Sequence, residues 1–119
     1  MGEQKKQITF GKFQNVDMRV AVVLSAPPAP EARFPSRILE LDLGELGTRQ
    51  SVGQYALVEE ADLVGAKVVA CINLGSREMG PYVSEALVLG TPHPESPADQ
   101  SQALPLLAHP QSAPGDAVY

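Results

Sequence analysis

The sequence has very few of the residues that support covalent cross-links or catalysis. Cys71 is the single cysteine, so no internal disulfide can form. Its apolar neighbours favour a small buried side chain over a reactive thiol. The two histidines, His93 and His109, both lie in a proline-rich C-terminal part, and no Ser/His/Asp set, zinc-type spacing or phosphate-cradling glycine loop occurs. We therefore expect no catalytic residue, no metal site, no cofactor and no enzymatic activity.

Long apolar segments are also missing. No run approaches the roughly 20 residues that a membrane helix needs, so we expect no membrane insertion. The first ten residues are polar and lack the apolar region of a signal peptide, which favours a cytoplasmic location. Hydrophobic residues nevertheless make up 44% of the 119 residues, enough for one domain with one core.

Positive charge is scarce. The net charge is −5, which argues against a general nucleic-acid binder because phosphate neutralisation needs Lys and Arg. The charge is unevenly placed, since residues 91–119 contain three acidic residues and no Lys or Arg, which leaves residues 1–90 with a net charge of −2. A local basic face is therefore compatible with the first 90 residues.

The hydrophobic pattern predicts short strands. Apolar residues alternate with other side chains from Val16 to Leu24, which indicates a half-buried first strand that ends before the prolines at 27, 28 and 30. Leu39, Leu41 and Leu43 alternate in a second predicted strand over Arg37–Leu43. The segment Gly44–Gly47 reads as a hairpin turn into a third strand over Thr48–Gly53, so these two strands should pair antiparallel.

The second half of the chain predicts one helix and two further strands. Val58–Val64 is the helix candidate, with acidic residues near its start and Gly65 after its end. The apolar run Lys67–Ile72 predicts a central fourth strand, Asn73–Val83 a polar loop, and Ser84–Leu89 a fifth strand. Residues 91–102 indicate an exposed Pro/Ser-rich excursion, followed by a weak edge strand around Leu104 and a last short strand over Asp116–Tyr119.

Five short strands with one helix between the third and fourth have the order of an OB-fold, a partly open five-stranded Greek-key barrel that commonly binds oligonucleotides. The predicted fold is thus mainly β, with N- and C-terminal extensions. We assign one domain over residues 1–119. It has a barrel core at 8–90, an excursion at 91–103, and C-terminal strands that form a dimer seam at 104–119.

Motifs in order along the chain resemble the tRNA-binding-domain family, which includes stand-alone tRNA-binding proteins and synthetase appendages. The opening-strand signature is Val16-Asp17-Met18-Arg19-Val20. The other matching segments are Ile8-Thr9-Phe10 with Phe13, Glu31-Ala32-Arg33 with Pro35, Leu39–Gly44, Arg49-Gln50-Ser51 with Gln54, Asp62–Gly65, Val68-Val69, Asn73-Leu74, Arg77, Ser84-Glu85, Leu87–Gly90 and Pro114-Gly115. Within that family the chain is similar to the CsaA-like branch.

The resemblance implies an OB-fold homodimer that binds tRNA or another structured RNA. For the CsaA-like branch it also implies an export-related chaperone that binds unfolded or precursor polypeptides. Recruitment of a single partner protein is a third possible role for such a module. The resemblance and the chemistry of the side chains together select these candidates for RNA or peptide contact: Arg33, Phe34, Arg37, Arg49, Gln50, Ser51, Asn73, Arg77, Tyr82, Ser84 and Glu85.

Each candidate also has a structural alternative. Guanidinium groups hold phosphate in a two-pronged geometry, and exposed aromatic rings stack on unpaired bases. Arginines on a small barrel also pair with acids, aromatic rings cover barrel ends, and Ser84 and Glu85 can satisfy backbone donors. Asp17 and Arg19 indicate a structural pair that stabilises the first strand.

The groove is less basic than the family pattern. Phe34 and Ile38 stand where CsaA-like proteins often have Lys, and Val83 replaces a commonly polar or basic residue. Val52 replaces a small polar residue, and Pro81 stands where glycine is usual. The changes at Phe34, Ile38 and Val83 reduce positive charge and favour an apolar peptide ligand. Because the fold and the family resemblance point to tRNA, we still rank tRNA first, with polypeptide close behind.

Both ends of the chain have more apolar residues than closure of a small barrel requires. Ile8, Phe10 and Phe13 lie at one end, and Leu104, Leu106, Leu107 and Val118 lie at the other. They predict an apolar seam shared across a two-fold axis. The alternative is that both ends fold back over the same barrel.

Overall fold

The computed structural model describes residues 2–119 and is mainly β, as expected. The strands are β1 (Met18–Ser25), β2 (Arg37–Asp42), β3 (Thr48–Gly53), β4 (Lys67–Cys71), β5 (Arg77–Met79), β6 (Tyr82–Ser84), β7 (Leu87–Val88), β8 (Gly90–Pro92), β9 (Ala103–Pro105) and β10 (Ala117–Val118). The helices are α1 (Phe10–Gln14) and α2 (Glu60–Leu63), and a 3₁₀ turn spans Gly44–Leu46.

The main sheet has the order β3-β2-β1-β4-β7, and β10 extends it beside the start of β1. All of its pairs are antiparallel, with Arg37 opposite Gly53 in the β2–β3 hairpin. Leu39, Leu41 and Leu43 are fully buried in the core, which confirms the predicted face of the second strand. The helix candidate is confirmed in a shorter form, because α2 begins at Glu60 and ends at Leu63.

The sheet closes into the predicted OB-type barrel because its two edges meet. The buried Ser84 Oγ accepts a hydrogen bond from the backbone N–H of Val52 at 3.0 Å and donates to the carbonyl of Ala86 at 3.1 Å. The carboxylate of Glu85 accepts from the N–H of Gln50 at 2.9 Å, and the Glu85 N–H donates to the Gln50 carbonyl at 2.7 Å. An exposed strand edge has unpaired backbone groups, and here the end of β6 and the residue after it satisfy those of β3 at Gln50 and Val52.

Two sequence-based predictions in this region were wrong. Asn73–Val83 was expected to be a loop, but β5 and β6 form a two-stranded hairpin within it. Gly80 and Pro81 form the two-residue turn of this hairpin. Gly80 has a φ of +64°, a backbone conformation that residues with an L side chain rarely adopt. The fifth strand is also shorter than Ser84–Leu89, because Ser84 ends β6 and the chain bends there to meet β3 before β7 begins at Leu87.

The segment expected to be an exposed excursion is largely exposed, and its end is anchored on the barrel. β8 and β9 pair with each other, so residues 93–102 form the loop of a ribbon. Gln102 is only 1% exposed, and its side chain accepts from the N–H of Ala56 and donates to the carbonyl of Pro35. The expected edge strand around Leu104 is confirmed as β9, and the last strand as β10.

The C-terminal turn at Pro114–Gly115 closes against the turn after β2. A Cβ added to Gly115 would lie 2.5 Å from the carbonyl oxygen of Leu43, so only glycine allows this approach. Asp17 and Arg19 form the expected pair at 2.7 Å, and Arg19 also donates to the Gly115 carbonyl. Among residues 2–119, no helix has the length and the apolar character required to span a bilayer.

Arg37 and Arg49 both lie on core-facing rows of the β2–β3 hairpin. Arg37 has the same strand parity as Leu39, and Arg49 lies opposite the buried Leu41. The guanidinium of Arg37 donates to the carbonyls of Ala26, Tyr55 and Val58, and it lies 3.8 Å from the carboxylate of Glu60. Arg49 donates to the carbonyl of Ile72 at the opposite end of the hairpin. Each arginine therefore ties loop backbone to one end of the barrel.

Replacing Arg37 by glutamine should lower the free energy of unfolding by about 3 kcal/mol, because partly buried carbonyls lose a charged donor. Urea unfolding followed by circular dichroism measures this change. The matched variant Arg77→Gln should unfold within about 0.5 kcal/mol of the unmodified chain, since Arg77 is exposed. Equal stability of the two variants would contradict a bracing role for Arg37.

Tyr55 makes the stability depend on alkaline pH. Its buried hydroxyl donates to the Val88 carbonyl at 2.9 Å, and burial raises the pKa of Tyr55 from 10.0 to about 12. A raised pKa in the folded state leaves stability intact below pH 10, where the phenol is protonated in both states. Stability should then fall by roughly 1 kcal/mol per pH unit between pH 10 and 12, because only the unfolded chain ionises readily there. Urea midpoints across this range test it, and Tyr55→Phe should remove that component of the slope.

Candidate functional site

The β5–β6 hairpin stands over two adjacent clefts. The first has a volume of about 410 Å³ and lies between the end of β3, β7 and the loop after β4. The second has a volume of about 350 Å³ and lies between the hairpin and the loop from β1 to β2. Both volumes fall in the range of small-ligand sites. Gln54, Arg77 and Met79 line both clefts and therefore form the wall that separates them.

Three of the candidate residues come together at the second cleft. Arg33 and Phe34 approach it from the β1–β2 loop, and Arg77 approaches it from β5. The guanidinium carbon of Arg33 lies 5.2 Å from the centre of the Phe34 ring, within the range of a cation–π contact. Arg33 and Arg77 are exposed, and neither forms an ion pair with a carboxylate in residues 2–119. Their donors are thus available to a ligand.

The hairpin tip is docked on the β1–β2 loop. The Tyr82 hydroxyl accepts a hydrogen bond from the N–H of Glu31 at 3.4 Å, and a Cβ on Gly80 would lie 3.0 Å from the Glu31 carbonyl oxygen. Tyr82 lines neither cleft, so its ring supports the tip. This contact sets the separation between the loop that holds Arg33 and the strand that holds Arg77.

Most of the other candidates have structural partners. Arg37 and Arg49 donate to backbone carbonyls, and neither lines the clefts. Ser51 is buried opposite Leu39, and the Gln50 side chain donates to the Val83 carbonyl. Asn73 accepts from the N–H of Asp17 and donates to the Asn15 carbonyl, which fixes the corner between α1 and β1.

Ser84 and Glu85 close the barrel, as the structural alternative for these residues proposed. Ser84 also lines the first cleft, although its hydroxyl already donates to one backbone group and accepts from another. The structure thus brings Arg33, Phe34, Arg77 and Ser84 to the two clefts and leaves the rest of the candidate set outside them.

Two residues that contribute to the site were missed by the sequence analysis. Gln54 lines both clefts, and Gln102 joins the Pro35 carbonyl to the backbone that follows Gln54. Gln54 was visible only as part of a family motif. Nothing in a Pro/Ser-rich segment indicates that Gln102 is buried.

Among the acidic residues and histidines of residues 2–119, Glu78 is the one that lines either cleft. Glu78 lines the second cleft, whereas the acidic residues Glu95 and Asp99 line neither. Within residues 2–119, no group of three or more His, Cys, Asp or Glu residues is arranged to hold a metal ion. Each histidine accepts a backbone N–H two residues ahead through its Nδ1 atom, so His93 and His109 stabilise local turns.

The sequence matches segments of methionine–tRNA ligases. The ligase of Bdellovibrio bacteriovorus is 38% identical over 89 residues, which are 74% of this chain and 13% of the ligase. The ligase of Rhodopirellula baltica is 44% identical over 85 residues, 69% of this chain and 12% of the ligase. The chain therefore spans only about an eighth of the length of these relatives. No protein-family model matches the chain.

Solved structures match over nearly the whole chain. The chaperone CsaA of Bacillus anthracis is 30% identical with a TM-score of 0.82, and the alignment covers 96% of this chain and 100% of that one. The CsaA chaperone protein of Picrophilus torridus has a TM-score of 0.84 at 24% identity over 95% of this chain and 100% of that one, which shows a shared fold. Taken with the ligase matches, these similarities show that the chain belongs to the CsaA-like tRNA-binding-domain family.

Proposed function

We propose that this protein is a non-catalytic tRNA-binding homodimer. The observation that carries the proposal is the pair Arg33 and Arg77, which face the same cleft from two different elements. Exposed guanidinium groups without a carboxylate partner among residues 2–119 are suited to phosphate oxygens. Membership of the tRNA-binding-domain family supports tRNA as the source of those phosphates. Because tRNA works in the cytoplasm, we propose that compartment as the site of action.

The net charge of −5 does not oppose this assignment. Glu95 and Asp99 line neither cleft, and at the second cleft Arg33 and Arg77 outnumber the single carboxylate, Glu78. Charges farther apart than about 10 Å are largely screened at physiological salt, and local charge at the groove then dominates short-range binding. Two phosphate contacts at each groove predict moderate affinity and a clear salt dependence.

A homodimer would place two such grooves on one tRNA. Phe10 is 71% exposed and packs only on Phe13, with ring centres 6.2 Å apart. At the other end of the chain, Leu107 is 65% exposed although it bridges to Val68. The two ends do not bury each other in one subunit, which supports a seam between two copies.

Binding of unfolded polypeptide is the second candidate function. Leu74 is 64% exposed at the first cleft, and Leu87 and Met79 line the same cleft. An apolar groove of this kind suits the side chains of an extended segment. The similarity to the CsaA chaperone of Bacillus anthracis supports this role beside RNA binding.

The double variant Arg33→Gln/Arg77→Gln should bind tRNA about tenfold or more weakly, because two charged donors to phosphate are lost. The slope of log affinity against log salt should fall by roughly 1 to 2 units. Fluorescence anisotropy with labelled tRNA over a salt series measures both quantities. The control Lys5→Gln/Lys6→Gln removes the same charge from residues that line neither cleft, and it should keep most of the affinity.

Undetectable tRNA binding at low salt would sink the RNA assignment, as would equal affinity of the groove variant and the unmodified chain. If the chain instead suppressed aggregation of an unfolded client, and did so equally at high salt and in the arginine variant, polypeptide binding would become the primary function.

Light scattering at micromolar concentration should report about twice the chain mass of 12.6 kDa. Phe10→Asp and Leu107→Asp should each shift the mass towards 12.6 kDa, because a carboxylate would be buried in the seam. Leu46→Asp is the matched control, since Leu46 is an exposed leucine in the 3₁₀ turn outside the seam. A mass of 12.6 kDa for the unmodified chain would exclude the dimer.

A further inference from the structure

The wall between the two clefts has a specific composition. Arg77 and Met79 alternate with Glu78 along β5, so their side chains share one side of the hairpin. Gln54 completes the wall from the chain that follows β3. The wall therefore has the charged donor of Arg77, the apolar side chain of Met79 and the amide of Gln54, and the clefts on its two sides have volumes of about 410 and 350 Å³.

Each compartment offers surfaces on which a flat ring can stack. The first is lined by Leu74 and Leu87, two apolar side chains that are exposed. The second is lined by Phe34, which has Arg33 against its ring. Aromatic and apolar walls of this kind stack on unpaired bases regardless of their sequence.

The Gln54 side chain is suited to reading base edges. Its backbone carbonyl is occupied, because it accepts from the N–H of Ala103 at 2.8 Å. Gln54 lines both clefts, and its side-chain amide makes no hydrogen bond to another group in residues 2–119. An amide presents one acceptor and two donors, and it can pair with the exposed edge of an unpaired base.

We propose that the two clefts bind two consecutive unpaired nucleotides of an RNA, one base in each cleft. The phosphate between the two nucleotides lies against Arg77, and the Gln54 amide contacts a base edge. The inference rests on the proposed RNA-binding function and adds to it the kind of RNA segment that the site accepts, namely a single-stranded end or a loop with two bases turned outward.

The closure of the barrel disfavours the addition of a peptide strand to β3. Strand addition needs a free sheet edge with unpaired backbone groups. At Gln50 and Val52 the edge of β3 is already satisfied by Glu85 and Ser84, so a peptide finds no free backbone donors there. Nucleotide binding uses side chains and ring faces, which this site leaves accessible.

The test uses the full chain and a stable RNA hairpin with no, one, two or three unpaired nucleotides at its 3′ end. Affinity should rise about fivefold or more for each of the first two nucleotides and less than twofold for the third, because each of the two clefts beside the β5–β6 hairpin holds one base. Isothermal titration or fluorescence anisotropy at constant salt gives the four affinities.

Two variants test the roles of Arg77 and Gln54. Arg77→Gln should remove most of the gain from the second nucleotide, since the linking phosphate loses its partner. The unmodified chain should bind adenosine, guanosine, cytidine and uridine extensions with different affinities. Gln54→Leu should reduce the ratio of the highest to the lowest affinity by about threefold or more, while the salt dependence of RNA binding stays unchanged. Gln14→Leu, an exposed glutamine of α1, is the matched control and should keep both the steps and the preference. Equal urea midpoints of the variants exclude a folding defect.

The outcomes separate this inference from the proposed function. If tRNA binds but affinity is independent of the extension, or rises equally with every added nucleotide, the two-nucleotide site is refuted and tRNA binding stands. Failure of all RNAs to bind would refute the proposed function itself. Displacement of a bound extension by an unfolded polypeptide, without any base preference or two-nucleotide limit, would show that the clefts are peptide sites and overturn the inference.

Discussion

The structure depends on how β3 and β7, the two edges of the main sheet, are brought together. Backbone hydrogen bonds between paired strands do not join β3 to β7, because the chain bends between β6 and β7. Ser84 and Glu85 supply side-chain acceptors for the N–H groups of Val52 and Gln50, and these bonds close the barrel. Closure removes an exposed edge that would otherwise pair with other chains. It also fixes the base of the β5–β6 hairpin, and therefore the position of Arg77.

Two further constraints convert the closed barrel into a site. The hairpin tip is docked on the β1–β2 loop through Tyr82 and the backbone approach at Gly80. The same loop is held from its other side by Gln102, whose amide bonds the Pro35 carbonyl. Arg33 and Phe34 lie between these two anchors. Their distance from Arg77 is thus set by contacts within the chain, which favours a preformed site over one assembled by the ligand.

The arginines have different roles because they lie at different places in the fold. Arg37 and Arg49 occupy core-facing rows, so their guanidinium groups reach carbonyls at the barrel ends and act as braces. Arg33 and Arg77 lie on a loop and an exposed hairpin, where nothing in residues 2–119 neutralises them with a carboxylate. A count of basic residues therefore overstates the charge available to RNA, and burial of the guanidinium decides which residues contribute. The predicted energetic contrast between Arg37 and Arg77 reflects the same division.

The sequence by itself determined the β2–β3 hairpin, because strict alternation in Leu39, Leu41 and Leu43 and the Gly44–Gly47 turn allow only one face and one register. The order of strands and helix predicted the barrel type. The sequence also determined the family and the Asp17–Arg19 pair, since these depend on neighbours along the chain. Only the tertiary structure decided the site. The bonds of Ser84, Glu85, Asn73 and Gln102 join segments that are 32 to 67 residues apart. Polar side chains have no periodicity that reveals whether a distant backbone group or a ligand will satisfy them. The roles of Gln54 and Gln102 therefore became clear only from the folded chain.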